Sequence, residues 1–257
     1  MERVSFGRTG LEVSRLCAGT GTNGWAGRSD QTALGVDGLA RLLRRAYEAG
    51  VTFWDAADEY GSHPHVARAL KGLPREDVVV ATKTVARTRP DAERAIARFR
   101  RELGTDVLDI VLLHCMTSRG WPSSQEDAMD ALTRAKERGE VRAVGISSHG
   151  LGALDAAADC DWVDVVLVRL NHAGVNMDGS VDDALAAVRR LAEAEKAIYA
   201  MKVLGCGSLG GDARKAFEFI NGVDDVHAFT VGMTSEDELD ENVRLVEELD
   251  QRVRRSA

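Results

Sequence analysis

Apolar residues fall into two alternating patterns along this chain. One is a short unbroken run rich in Val, Ile and Leu; the other is a longer stretch in which they recur every three or four positions. The first suits a strand covered on both faces, the second an amphipathic helix. Strands are expected at Arg15–Ala18, Val51–Trp54, Val78–Thr82, Val107–Leu113, Arg142–Ile146, Val163–Val168, Ala197–Met201 and Val226–Val231. Helices are expected at Val36–Ala49, His65–Leu70, Asp91–Leu103, Ser124–Arg138, Leu151–Ala158, Val181–Ala194, Ala213–Ile220 and Ser235–Arg252. Parallel strands need helical crossovers, so this strict alternation predicts an all-parallel sheet. Eight units without a long linker predict a (β/α)8 TIM barrel occupying residues 1–257 as a single domain, with an open doubly wound sheet as the rival. Ahead of the first barrel strand, Val4–Phe6 and Leu11–Val13 flank Gly7-Arg8-Thr9-Gly10, the pattern of an N-terminal β-hairpin able to plug the barrel.

Composition narrows the function more than the fold. The 257 residues are 44% hydrophobic, enough for one full-sized core. Net charge is −8 with Lys and Arg scattered, which argues against a nucleic-acid footprint. No apolar run approaches the ~20 residues of a membrane span, and the N-terminus lacks the apolar core of a secretion signal. Cys17, Cys115, Cys160 and Cys206 stand isolated, which reads as reduced thiols in a cytoplasmic protein and not as a metal centre. His63 and His65 straddle Pro64, a spacing better suited to a loop or helix start than to a metal pair.

Barrel sites form at the C-terminal ends of strands, so ionisable residues where apolar runs stop carry the most information. The second run ends in Trp54-Asp55, with Tyr60 in the loop beyond; the third ends at Lys83 and the fourth at His114. Each alone has an ordinary reading: a capping carboxylate, a strand-end lysine, a buried histidine, a loop tyrosine. Together, from three consecutive strands, they describe a proton-transfer group. A lysine ammonium ~4 Å from a phenol stabilises the phenolate by about 4 kcal/mol at an effective dielectric of 20, roughly three pKa units. Asp55 would hold Lys83 charged, and His114 would fix a carbonyl oxygen beside Tyr60. Such a set protonates an oxyanion as it forms, and the hydride has to come from a nicotinamide.

Asp55-Ala56-Ala57-Asp58-Glu59-Tyr60-Gly61, with Lys83 and His114, resembles the aldo-keto reductase superfamily, as do the opening FGRTGLEVSRLCAGTG and the closing GMTSEDELDENV. The resemblance implies Asp55 as orienter, Tyr60 as proton donor, Lys83 as tuner and His114 as substrate-orienting group. It also implies a dinucleotide site, NADP(H) by the habit of the family, with NAD(H) the alternative. In its terms Ser147 keeps the serine of a nicotinamide-binding Ser-Asn pair, while Ser148 replaces the asparagine. Leu167 stands where a glutamine is usual, four residues before Leu170-Asn171, and Met201 where an aromatic often stacks on the nicotinamide. Leu204, Gly205 and Gly207 suit close approach to a pyrophosphate. Gly232, Thr234 and Glu238 fall where the family grips a 2′-phosphate, and Glu241-Asn242 match its adenine-contacting pair. Glu238 lies near an expected arginine; a carboxylate there repels a phosphate and accepts from a bare ribose. Arg214, Lys215 and Arg244 are the candidates to compensate from nearby helices. Trp25, Trp121 and Met116 either line an apolar substrate wall or pack the rim loops.

The leading expectation is thus NAD(P)H-dependent reduction of a small-molecule aldehyde or ketone. The departures at Ser148, Leu167, Met201 and Glu238 keep open a non-catalytic nucleotide-binding barrel. A Schiff-base enzyme using Lys83 is disfavoured, because a paired Asp55 keeps the amine charged.

Overall fold

The computed structural model of the protein describes residues 1–256, with side chains to 251. After a hairpin of β1 (Arg3–Ser5) and β2 (Glu12–Ser14), the chain enters β3 (Leu16–Gly19) and α1 (Gly35–Glu48). It continues through β4 (Phe53–Asp55), α2 (His63–Leu70), β5 (Val79–Thr84), α3 (Arg89–Leu103) and β6 (Leu108–Met116). Next come a short α4 (Trp121–Ser124), α5 (Glu126–Glu137), β7 (Val141–Ser148), α6 (Leu151–Ala158), β8 (Val165–Arg169) and α7 (Val181–Glu193). The circuit ends with β9 (Ala197–Met201), α8 (Ala213–Asn221), β10 (Ala228–Gly232) and α9 (Glu236–Ser256). The strands β3 to β10 close into a parallel barrel, β10 pairing with β3. The open-sheet rival is therefore excluded.

The strands read as apolar runs because both faces are covered. Outward residues such as Trp54, Val80, Val111 and Ile146 meet the helices, whose own apolar faces supply Leu39, Leu43, Ile96, Phe99, Leu132 and Leu191. Inward residues Cys17, Phe53, Ala81, Ile110, Leu112, Val165, Leu167 and Tyr199 form a separate inner core. The hairpin closes the bottom of that core. Phe6 is fully buried and meets Phe53, Tyr199 and His227 edge-on, at centroid distances of 5.5, 6.0 and 5.8 Å. Gly7 at the hairpin turn has φ +52, and a Cβ there would lie 2.8 Å from the Ala197 backbone, so the turn is pressed onto the start of β9.

Boundaries shift where local chemistry intervenes. The second barrel strand starts two residues later than the apolar run, at Phe53, because Ser14 Oγ takes the Thr52 and Phe53 N–H groups, each at 3.0 Å. α2 begins at His63, two residues early, with Pro64 in the first turn, where its missing N–H costs nothing. β6 runs on to Met116 across a register break in which Cys115 takes φ 61. No described helix is long and apolar enough to cross a membrane.

Candidate active site

A cavity of about 1000 Å³ opens at the C-terminal end of the barrel, with Asp55, Tyr60 and His114 in its wall. Asp55 ends β4, and a single 3-10 turn (Asp58–Tyr60) swings Tyr60 back over it. Gly21 and Gly24 lie flat against the phenol; a Cβ on Gly21 would sit 2.1 Å from the ring. Lys83, fully buried on β5, donates to Asp55 Oδ2 at 2.7 Å and to the Ala56 carbonyl at 2.8 Å, and its Nζ lies 4.8 Å from the centre of the Tyr60 ring. His114 Nε2 is 3.5 Å from the Tyr60 hydroxyl. The four residues that the sequence singled out are thus joined in one chain of contacts, Asp55 to Lys83 to Tyr60 to His114. Sequence reasoning missed a fifth: Tyr199 of β9 donates to Asp55 Oδ1 at 2.8 Å, so both carboxylate oxygens are held.

The electrostatics differ from the simple lysine–phenol estimate. Burial raises the Tyr60 phenol above its ordinary value; Lys83 pulls it down, Asp55 pushes it up again, and the net shift is upward. Burial opposes the Lys83 ammonium too, but Asp55 and Tyr60 more than offset that and hold it raised. His114 is pushed down to about 3 by burial, with Lys83 and His149 adding to it. Glu59 lies 3.4 Å from His114 Nδ1, close but without hydrogen-bond geometry.

His149 lines the same cavity and has its pKa lowered to about 4 by burial, Arg169, Lys202 and Lys83. Both imidazoles are neutral in the fold and titrate near ~6.5 when unfolded. Their contribution to stability is complete above pH ~6.5 and lost as the pH falls through the folded values. At pH 5 buried His114 costs roughly 1.5 units at 1.36 kcal/mol per unit, about 2 kcal/mol, and the more exposed His149, screened by solvent, about 1 kcal/mol, for about 3 kcal/mol together. Denaturant titrations at pH 7.5 and pH 5 should differ by at least that much, because burial lowers His63, His65 and His227 as well; equal stabilities would show that both cavity imidazoles take up protons in the fold as readily as in the unfolded chain.

The upper part of the cavity holds most of the anticipated cofactor residues. Met201, Leu204, Gly207, Gly232, Thr234, Glu238, Glu241 and Asn242 all line it. Ser147, Ser148, Gly205 and Asn171 do not, and the structure shows what occupies their polar groups. Ser147 Oγ accepts the Cys115 N–H at 2.9 Å, and Ser148 Oγ donates to the Gly150 carbonyl at 2.9 Å. The Gly205 carbonyl accepts from Ser208 Oγ at 2.8 Å and Asn176 Nδ2 at 3.1 Å. The Asn171 amide is fully used by backbone, donating to the Val175 and Lys202 carbonyls and accepting from the Ala173 and Val175 N–H groups. Glu238 folds back over the start of α9, accepting from Thr234 N–H at 2.7 Å, while its own N–H donates to Ser235 Oγ. A carboxylate therefore stands at a helix N-terminus that would otherwise attract a phosphate.

The expected compensating bases are placed elsewhere. Arg214 and Arg244 both pair with Glu248, at 2.7 and 2.6 Å, and neither they nor Lys215 lines the cavity. Lys202 does, a base the sequence reading passed over, held at φ 64 with Nζ 3.0 Å from Cys206 Sγ. Of the aromatic candidates only Trp25 borders the cavity, 67% exposed; Trp121 is buried with its indole N–H on the Ala153 carbonyl, and Met116 is buried beside β7.

Comparison with known proteins matches this architecture. An aldo-keto reductase of Bacillus subtilis is 27% identical over 179 residues, 60% of this chain and 49% of that protein. An NADH-specific methylglyoxal reductase of Escherichia coli is 26% identical over 175 residues, 58% of this chain and 52% of that protein. The chain spans about half the length of the curated relatives it matches. A holo-form aldo-keto reductase structure from Bacillus halodurans superimposes with a TM-score of 0.77 at 19% identity, covering 100% of this chain and 96% of its own, a likeness of fold. The model of the Aldo/keto reductase family matches residues 15–222, from the first barrel strand to the end of α8, and the chain belongs to that family.

Proposed function

We propose that the protein is an oxidoreductase that reduces small aldehydes or ketones with a reduced nicotinamide dinucleotide, Tyr60 giving the proton. The observation that carries this is the meeting of a buried ammonium, a phenol and a neutral imidazole at the floor of one open cavity. The cavity fits a dinucleotide. Its volume of about 1000 Å³ suffices, and Gly207 and Gly210 leave open space where side chains would stand. Lys202 offers a cation for a pyrophosphate, beside the turn at Leu204.

When bound, the nicotinamide supplies the hydride. The protein's own part is positioning and proton delivery. Tyr60 Oη and His114 Nε2, 3.5 Å apart, can both reach one carbonyl oxygen. His114 is neutral, so it orients that oxygen without competing as an acid. As charge builds on the oxygen, the phenol proton moves to it, and Lys83 stabilises the phenolate left behind. Asp55, held by Lys83 and Tyr199, keeps the ammonium fixed. The free cysteines fit a reducing compartment such as the cytoplasm.

Glu238 argues for NADH over NADPH, and one relative is named an NADH-specific reductase. The test is binding of each dinucleotide to the wild-type protein, read by quenching of Trp25, and loss of reduced-nicotinamide absorbance with a panel of aldehydes. NADH should bind in the micromolar range and be oxidised. In Glu238→Arg the preference should move toward NADPH by about 10-fold or more, one charge-assisted hydrogen bond to phosphate. Failure of both dinucleotides to bind would remove the reductase reading.

A further inference from the structure

His149 lines the cavity, and its hydrogen-bonding state can be deduced from its neighbours. It follows Ser148 at the end of β7 and lines the cavity with Cys115 and Leu167. Arg169, the last residue of β8, points a guanidinium nitrogen at His149 Nδ1 at 2.5 Å. A guanidinium has only N–H donors and does not lose a proton. Nδ1 must therefore be the acceptor, and in a neutral imidazole the proton sits on Nε2. Arg169 is fixed in turn by Asp178, which accepts from its other arm at 2.9 Å. Nε2–H faces Cys115 Sγ at 3.6 Å, a weak acceptor in the cavity wall, and has no stronger partner among the described residues.

The surroundings say what such a donor would read. Leu167 and Met201, on the two strands that follow β7, give this part of the wall apolar side chains. Ser148 donates its hydroxyl to the Gly150 carbonyl, and Ser147, whose Oγ accepts the Cys115 N–H, is fully buried and does not line the cavity. Lys202, the remaining base there, is turned to Cys206. A nicotinamide ring held against Leu167 and Met201 would present a carboxamide whose oxygen needs a donor. We propose that His149, locked by Arg169 and Asp178 as a neutral Nε2–H donor, reads the carboxamide oxygen of the nicotinamide in this protein. The proposal rests on the dinucleotide reading above. It assigns the recognition to a histidine just after β7 that is oriented through an arginine at the end of β8.

The test compares three reduced dinucleotides by equilibrium binding: NADH, its thionicotinamide analogue, and its 3-acetylpyridine analogue. The first and third keep the carbonyl oxygen; the second replaces it with sulfur, a poor acceptor. Wild-type protein should bind the thio analogue roughly 5- to 10-fold more weakly than NADH, one neutral hydrogen bond, and the acetylpyridine analogue about as well as NADH. In His149→Phe the NADH-to-thio ratio should collapse toward one, and His149→Gln, which retains an N–H donor, should restore part of it. An independent readout is the 15N NMR signature of the His149 ring in wild type, which should show a protonated Nε2 and a lone pair on Nδ1, mixing with the other tautomer in Arg169→Met. An unchanged ratio in His149→Phe, or a proton found on Nδ1 in wild type, overturns the assignment while leaving dinucleotide binding intact. Failure of wild type to bind any of the three sinks the underlying reading instead.

Discussion

Tyr60→Phe should lower kcat/KM for carbonyl reduction by about 10²- to 10⁴-fold, the usual worth of a positioned general acid, with NADH affinity unchanged. The ring of phenylalanine keeps the contact with Gly21 and Gly24, so the loop carrying position 60 has no reason to move. Only the hydroxyl facing His114 Nε2 is lost. The same residue makes a second demand on the wild-type enzyme. Because burial leaves the phenol raised in spite of Lys83, the acid stays protonated well past neutrality. The rate of reduction should therefore be level between about pH 7 and 9, without the decline that a phenol lowered by roughly three units would impose. Stopped-flow reduction of one aldehyde across that range decides the matter. A falling limb centred near pH 7 would mean that the lysine outweighs burial, and turnover retained in Tyr60→Phe would remove the residue from its assigned role.

The second large effect concerns stability. Lys83→Met should cost about 3–5 kcal/mol, because it leaves the Asp55 carboxylate buried without its counter-charge. Asp55 is 4% exposed and Lys83 fully buried, so neither is screened by solvent. Adding Asp55→Asn to that variant should recover roughly half of the loss. A neutral amide oxygen still accepts from Tyr199, whereas the Ala56 carbonyl remains without the Lys83 donor. Guanidinium denaturation of the single and double variants measures both steps. A loss below about 1 kcal/mol for Lys83→Met would show that water reaches Asp55, and the pair would then count as an exposed one. Both variants should be inactive, so folding and catalysis separate cleanly in this pair.

The barrel was legible because its strands are buried on both sides and its helices on one, a contrast the sequence writes directly into two periodicities. The tetrad was legible for a related reason. An ionisable residue at the end of one apolar run has ordinary structural uses, but Asp55, Lys83 and His114 stand at such places on three consecutive strands, which brings them to one rim. Tyr199 was not, since a tyrosine inside Ala-Ile-Tyr-Ala-Met reads as core, and nothing local says that its hydroxyl meets a carboxylate. Ser148 and Asn171 matched a pattern by position, yet their side chains bond to neighbouring backbone, which depends on loop path and not on residue type. His149 was missed although a signal existed. Arg169 closes an otherwise apolar strand, and a half-buried guanidinium there requires an acceptor nearby.

The Tyr199–Asp55 hydrogen bond joins residues 144 positions apart, across the interior of the ring. Loop-closure entropy has to be met before contacts of that separation form, so they are late to assemble. The carboxylate that anchors Lys83 is therefore completed only when β9 has taken its place. Partly folded or partly synthesised chains hold Asp55, Tyr60 and Lys83 without that anchor, and β10 must still follow to close the circle. On the proposed function, proton delivery from Tyr60 would be a property of the closed ring, complete only once β10 has paired with β9 and β3.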